Sequence, residues 1–397
     1  MQRSEMEKEV LPLDVMINIL KRVSVKSLIR FKCVSKEWLN ILERSPFFTK
    51  QQLKHSAANN ALLLLQRIHR QPQPEPYSIC IIGPQHDLIR ECHLSHIVSP
   101  SAKILASCNG LLCLRHNIGL SILNPATRQI RQVPIANLLA FNYVGFGFNP
   151  LADDYKIIRI SMCVFAPEDQ VVVLDNIRVD RVEVYSLASS LWREIDAAKL
   201  QPLCIVSSSV AITGSIFWLA TTMTSASNTD SEFVVSFDIG RDLFTSVNGP
   251  PIPNSPSHPY NNNVLAVCND KLAMFRNYIV GAFESGSCSF DLWVLEDFHG
   301  HDHNNTCDVS GASWVKMYTV GPFSRLVYPL SLWGDEIVCR EELSGPENDL
   351  RTVKTVLTLF NPLSKQFKKL PSRRDEFFYV PFTYSETLVP VSNRLHH

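Results

Sequence analysis

No apolar run in the 397-residue chain reaches the ~18 residues that a membrane-spanning helix needs. The opening M-Q-R-S-E-M-E-K-E also lacks the apolar core of a signal peptide, so cytoplasmic or nuclear residence is expected. Charge of one sign is missing: 38 acidic residues balance 38 Lys and Arg, and no run of like charge stands in for an imbalance. Neither nucleic acid nor an anionic membrane is offered a field to follow. The 11 cysteines are odd in number, never spaced C-x-x-C, and mostly set in apolar runs such as Ile79-Cys80-Ile81, which predicts buried free thiols. Cys108 and Cys113 flank Asn109-Gly110. If that pair is a two-residue hairpin turn, Cys108 faces Leu111, Cys113 faces Ala106, and the two do not bridge.

Catalytic signatures are scarce as well. Gly145-Phe146-Gly147-Phe148-Asn149 has two glycines and then an aromatic strand, so it fails as a dinucleotide fingerprint, and no G-K-[ST] loop, G-x-S-x-G elbow or H-E-x-x-H pair occurs. The run His299-Gly300-His301-Asp302-His303, with Cys307 close by, carries metal-capable side chains. It sits among Asn304, Asn305 and Gly311, where nothing fixes ligand geometry, and reads as a solvated loop. No catalytic residue, metal ligand or cofactor-binding residue is expected.

What the chain does have is concentrated first in Leu11 to Trp38. Pro12 suits a first helical turn and Asp14 suits the positive end of the helix dipole. Val15, Met16, Ile19, Leu20 and Val23 recur at helical spacing, which predicts a helix over residues 11–23. Ser24 can cap a second short helix containing Leu28 and Phe31. Ser35 can cap a third with an apolar stripe of Val34, Trp38, Leu39, Ile41 and Leu42, which Pro46 ends. A short helical continuation follows from Phe47 to Lys54. A unit of ~40 residues cannot bury all this surface by itself, so its apolar face must meet the rest of the chain or another protein.

From about residue 60 the helical period disappears, and short apolar or alternating runs separated by turn residues take over. Candidate strands are Leu62–Leu65, Ser78–Ile82, Leu111–Leu114, Tyr155–Ile160, Val171–Leu174, Val182–Tyr185, Ile216–Leu219, Phe233–Phe237, Lys271–Phe275, Ile337–Cys339 and Val356–Phe360. One segment repeats: L-N-P-A-T-R-Q-I-R-Q-V-P from Leu123 to Pro134 returns as F-N-P-L-S-K-Q-F-K-K-L-P from Phe360 to Pro371. Asn before Pro starts a tight turn, so each copy is a hairpin. Weaker versions surround Tyr185 and Phe237, and D-L-W-V-L-E reaches Trp314-Val315 after a long insertion. The anchors Leu123, Tyr185, Phe237, Leu295 and Phe360 stand 62, 52, 58 and 65 residues apart, longer than the ~40–50 of familiar propeller repeats. An irregular propeller with large loops is favoured over a sandwich.

The helical stretch resembles an F-box through Leu11-Pro12, Asp14, Ile19-Leu20, Val25, Ser27-Leu28, Arg30-Phe31, Val34, Lys36, Trp38 and Pro46-Phe47. It departs at Ser24, where that family usually has Pro. The resemblance implies that Leu11, Pro12, Ile19, Leu20, Leu28, Val34 and Trp38 meet a Skp-family adaptor, itself held by cullin and RING subunits. S-C-N-G-L-L-C-L at 107–114, the Asn-Pro turns, G-F-G-F-N-P-L-A-D-D-Y-K at 145–156 and the D-L-W-V-L and S-W-V-K pieces resemble the F-box-associated domain of plant proteins, many of them labelled F-box/kelch-repeat. The layout is also similar to the S-locus F-box proteins of pollen, whose implied targets are pistil ribonucleases, although a layout shared across so large a family does not choose one target.

The expected fold is therefore α+β and multidomain: a disordered N-terminus at 1–10, a three-helix F-box at 11–55, an irregular F-box-associated, kelch-like β-propeller at 60–390 and a tail at 391–397. The expected function is that of a non-catalytic substrate receptor of an SCF-type ubiquitin ligase, with Thr221–Ser231, Asn248–Asn263 and Asp297–Ala312 as candidate target loops. A competing class is a propeller enzyme or small-ligand binder with a helical cap. Paired carboxylates in a deep central cavity, or a ligand there, would favour it, and a Leu11–Trp38 hook standing free of the propeller with its apolar face exposed would oppose it. A third is an F-box protein that binds the adaptor without assembling a ligase.

Overall fold

The computed structural model describes residues 11–391 apart from 60, 70–77, 95–97, 100–101, 117–118, 135–141, 165–176, 202, 223–231, 252–262, 281–286, 297–312, 344–353 and 372–376. Among the described residues four helices come first: α1 (Leu13–Leu20), α2 (Val25–Phe31), α3 (Lys36–Leu39) and α4 (Pro46–Asn59), with a wider helical turn over Asn40–Arg44 between the last two. Pro46 ends that turn and also begins α4, because a proline at a helix start loses no hydrogen bond and the Ser45 hydroxyl accepts from the Phe48 amide at 3.2 Å. The sequence offered Pro46 as a stop and a continuation only to Lys54. The structure makes it the start of the longest helix.

Among the described residues the strands form six sheets, the blades of a propeller. Blade 2 is Lys103–Cys108, Leu111–Arg115, Leu120–Asn124 and Gln129–Val133. Blade 3 is Asn142–Asn149, Asp154–Val164, Ile177–Ser186 and Leu191–Ile195. Blade 4 opens with the broken pair Leu203–Ile205 and Val210–Ile212 and continues through Ser215–Thr222, Glu232–Asp238 and Leu243–Asn248. Blade 5 is Val264–Cys268, Lys271–Val280, Ser287–Glu296 and Ser313–Phe323, and blade 6 is Leu326–Trp333, Glu336–Leu343, Lys354–Asn361 and Gln366–Lys369. Blade 1 takes Leu62–His69, Ser78–Ile82 and Leu88–His93 from the start of the β region and its inner strand, Phe377–Tyr384, from the end. The ring is thus closed by hydrogen bonds between its two ends, which leaves no open sheet between first and last blades.

Six apolar cores hold the blades together, one between each neighbouring pair, including Leu63, Leu65 and Ile82 of blade 1 against Trp333, Val338 and Leu359 of blade 6. On the other side of the same strand, Leu62 and Leu64 meet Ile104, Leu112 and Leu114 of blade 2. A strand covered on both faces carries apolar side chains at successive positions, which is why Leu62-Leu63-Leu64-Leu65 is continuous rather than alternating.

The repeated hairpins share one turn. Asn124 Oδ1 accepts from the amides of Ala126 (3.0 Å) and Thr127 (3.2 Å), and Asn361 Oδ1 from those of Leu363 and Ser364, both at 3.0 Å. Each turn ends in a left-handed residue, Arg128 or Lys365. Asp238 builds the same turn through Gly240 and Arg241. Asn109 and Gly110 are both left-handed, as a two-residue hairpin requires, and set Cys108 opposite Leu111 and Cys113 opposite Ala106. Of the candidate strands, Val171–Leu174 lies outside the described residues; the others fall within blade strands.

Candidate functional site

The helical domain builds its own core before it offers anything outward. Met16, Leu20, Val25, Leu28, Ile41, Leu42 and Phe48 are buried together, with Phe31 and Trp38 packed at the edge, ring centroids 5.0 Å apart and edge to face. Ser24 caps α2 by accepting from the Ser27 amide, and Ser35 caps α3 by accepting from the Trp38 amide at 3.2 Å. The Trp38 backbone is therefore fixed at a helix start, and its indole is fixed against Phe31.

Around this core the expected adaptor residues divide. Leu11 (55% exposed), Ile19 (51%) and Val34 (64%) face solvent, as do Pro12, Leu13 and Val15, while Trp38 is half-buried. Leu20 and Leu28 are buried inside the domain and present almost no surface. The periodicity placed Ile19 and Leu20 on one apolar face. They separate because adjacent helical residues point about 100° apart, and only Leu20 lies on the side of Met16 and Val25. Val15 and Ile19, one turn apart, make an apolar strip on the outside of α1.

The helices sit at one rim of the propeller. Lys50 of α4 pairs with Asp153, in the turn between the first two strands of blade 3, at 3.0 Å, and Ala126, in a blade 2 turn, packs on the helical core. Leu53 and Ala57 of α4 reach the wall of a central cavity of about 1290 Å³. The charged residues among its described lining are Lys103, Asp270 and Arg340, with serines, asparagines and aliphatic side chains between them. The paired carboxylates that a propeller hydrolase would favour do not appear in that described lining.

Strand direction sorts the candidate target loops. Gly214, between strands of blade 4, lies against Pro150, so this turn shares the helical rim, and residues 222 and 232 mark the far end of the same antiparallel pair. Segments 223–231 and 252–262 therefore depart from and return to the rim opposite the helices. There Glu232 accepts from Asn263 (2.7 Å) and from Arg276 (2.6 Å), whose guanidinium also donates to the Pro250 carbonyl. Segment 297–312 joins Glu296 to Ser313 on the helical rim instead, because Glu296 pairs with Lys271 beside the turn after Cys268. The interiors of the three loops, and the His299–Cys307 run, lie outside the described residues.

Residues 81–341 match the family model described as the F-box associated beta propeller domain, and residues 9–50 match that of the F-box domain. The chain belongs to the F-box-associated β-propeller family. Its relatives include the Arabidopsis thaliana F-box protein At2g34280, 24% identical over 84% of this chain and 92% of that protein. The F-box/kelch-repeat protein At3g23880 of the same plant is 24% identical over 84% and 86%. F-box protein At1g30790, also from Arabidopsis thaliana, is 25% identical over 87% and 86%. Among solved structures, Kuenenia stuttgartiensis hydrazine synthase aligns at a TM-score of 0.43 and 10% identity over 85% of this chain and 49% of that one, too loose a likeness to carry an argument. Among the described residues no helix is long and apolar enough to cross a membrane, and no cluster of three metal-capable side chains forms.

Three features joining the F-box to the propeller were not read from the sequence: Gln52 on α4, which bonds to Glu386 and Leu388, the bonds from Asn124 Nδ2 to the Thr387 and Val389 carbonyls, and the segment after Tyr384 that receives both. A local signal for the last of them is the apolar stretch L-V-P-V, Leu388 to Val391, beyond the closing strand.

Proposed function

We propose that this F-box protein is a substrate receptor of an SCF-type ubiquitin ligase, in which the F-box binds a Skp-family adaptor and the propeller holds a target protein. The observation that carries the proposal is the exposed apolar strip of Leu11, Leu13, Val15 and Ile19, with Val34, left outside a helical core that Leu388 completes. Exposed apolar side chains on a short helix are the material of helix-in-groove recognition, and the half-buried Trp38 supplies an aromatic anchor. Leu20 and Leu28 hold the strip in shape.

The chemistry of ubiquitin transfer then belongs to the partners. The receptor contributes proximity, raising the effective concentration of target lysines beside the charged conjugating enzyme. The rim opposite the F-box, with Glu232, Asn263 and Arg276 at its edge, is the face available to a target.

The test is co-purification of the full chain with a Skp-family adaptor. Leu11→Ala with Pro12→Ala, or Ile19→Asp, removes the adaptor while the propeller keeps its melting transition. Retention of adaptor by both variants would defeat the assignment. For the target, proximity labelling with and without proteasome inhibition should reveal a protein that accumulates and whose capture depends on the propeller.

A further inference from the structure

Beyond the Lys50–Asp153 pair and the packing of Ala126 and Leu53, two segments of chain join the F-box to the propeller. One attachment is the short link after α4, where the Ala61 carbonyl accepts from the Trp333 indole at 3.2 Å. The other is the extended segment that follows the closing strand, residues 386–391, which runs between α4 and blade 2. Its side chains alternate as an extended chain requires. Leu388 enters the helical core, while Val389 and Val391 enter the core between blades 2 and 3.

Polar bonds fix both faces. On the helical side, Gln52 Nε2 donates to the Glu386 carbonyl at 3.1 Å and Gln52 Oε1 accepts from the Leu388 amide at 3.4 Å. On the propeller side, Asn124 Nδ2 donates to the carbonyls of Thr387 (3.0 Å) and Val389 (2.9 Å), Arg131 donates to that of Val391, and Arg90 pairs with the Glu386 carboxylate at 2.7 Å. Gly110 lets the segment cross the blade 2 turn: a Cβ there would stand 2.7 Å from Thr387 Cγ2 and would collide with the Ser385 carbonyl. The bonds of Asn124 to the Thr387 and Val389 carbonyls and of Gln52 to the Leu388 amide are buried from water, where each counts for more.

We propose that residues 386–391 are a clamp that fixes the F-box on the propeller, so that this segment sets where the adaptor face points relative to the opposite rim. Gln52 is the positioning residue on the F-box side and Asn124 on the propeller side. The same clamp keeps α4 over one mouth of the central cavity, which directs any occupant to enter from the far rim. None of this depends on what the F-box or the propeller binds.

Hydrogen exchange on the full chain tests it without any partner. In Gln52→Leu combined with Leu388→Ala, which leaves the propeller cores untouched, amides of α4 should exchange at least about tenfold faster, from the loss of two hydrogen bonds and an apolar contact. Blade 3 amides should hold their rates, and small-angle scattering should show a larger maximum dimension. A chain ending at Ser385 retains the closing strand and should behave alike with a larger effect. Unchanged α4 exchange in the double variant overturns the clamp. Equal acceleration in α4 and blade 3 overturns it too, because the segment would then be ordinary propeller core.

Discussion

Asn124 and Asn361, 237 positions apart, cap the same turn in two blades, but only Asn124 also holds the chain that crosses above it. Both carbonyl oxygens accept from the amides two and three residues ahead. The Asn124 amide nitrogen, buried, binds two further carbonyls, whereas the Asn361 turn lies open to solvent.

Replacing each by Ala separates the two roles. Asn361→Ala loses a local turn bond and should cost about 1 kcal/mol. Asn124→Ala also leaves the Thr387 and Val389 carbonyls buried and short of a donor, and should cost about 3 kcal/mol. Urea midpoints of the two variants, compared at equal slope, check the order. Equal losses would mean that the 386–391 segment finds other donors.

On α1, neighbouring residues should give opposite phenotypes. Leu20→Ala opens a cavity in the helical core and should destabilise it by about 2–5 kcal/mol. Ile19→Ala, on the exposed strip, should stay within about 0.5 kcal/mol of the parent while weakening adaptor capture. Thermal melting alongside co-purification distinguishes them.

Glycines in this chain answer to space or to backbone, and two substitutions tell these apart. A Cβ at Gly145 would collide with the Trp218 ring and stand 2.8 Å from Ile216 Cγ2, so Gly145→Ala wedges blades 3 and 4 apart. About 1–3 kcal/mol of overpacking is expected. Gly334 has open space around it but a φ of +59°, so Gly334→Ala meets backbone strain alone, about 1 kcal/mol. The larger drop in melting temperature should belong to Gly145→Ala.

Burial pushes the Cys113 thiol from its ordinary 9.0 to about 12, and its side chain has no exposed area. The folded chain therefore keeps a proton that the unfolded chain releases above pH 9.0. The stability linked to it is complete below that pH and is lost as the pH climbs towards about 12. Cys113→Ala should make the alkaline decline shallower. In native protein near pH 8, an alkylating reagent should mark the exposed Cys33 and spare Cys113, with peptide mass spectrometry as the readout.

Local rules recovered much of this structure from sequence. The Ser24 and Ser35 caps, the Asn-Pro turns and the Asn109-Gly110 hairpin follow from bonding between residues a few positions apart. Five of the six blades carried a recognisable hairpin signal. Blade 1 did not, because its outer turn runs through Gly83 to Asp87 without an Asn-Pro start, and its inner strand comes from residues near the other end of the chain. The division of Ile19 from Leu20, and the pairing of Gln52 with Glu386, depend on what packs where, and no short window of sequence contains that information.

Because the inner strand of blade 1, Phe377–Tyr384, follows every other described strand in the sequence, the ring cannot close until residue 384 has been made. Synthesis from the N-terminus releases the F-box hundreds of residues earlier, and domains begin to fold as they emerge. A product cut off before residue 377 would carry the exposed apolar strip of α1 on an unclosed ring with no clamp behind it. Closure of the ring and anchoring of the F-box are thus tied to one short stretch, residues 377–391, so neither is in place without the other.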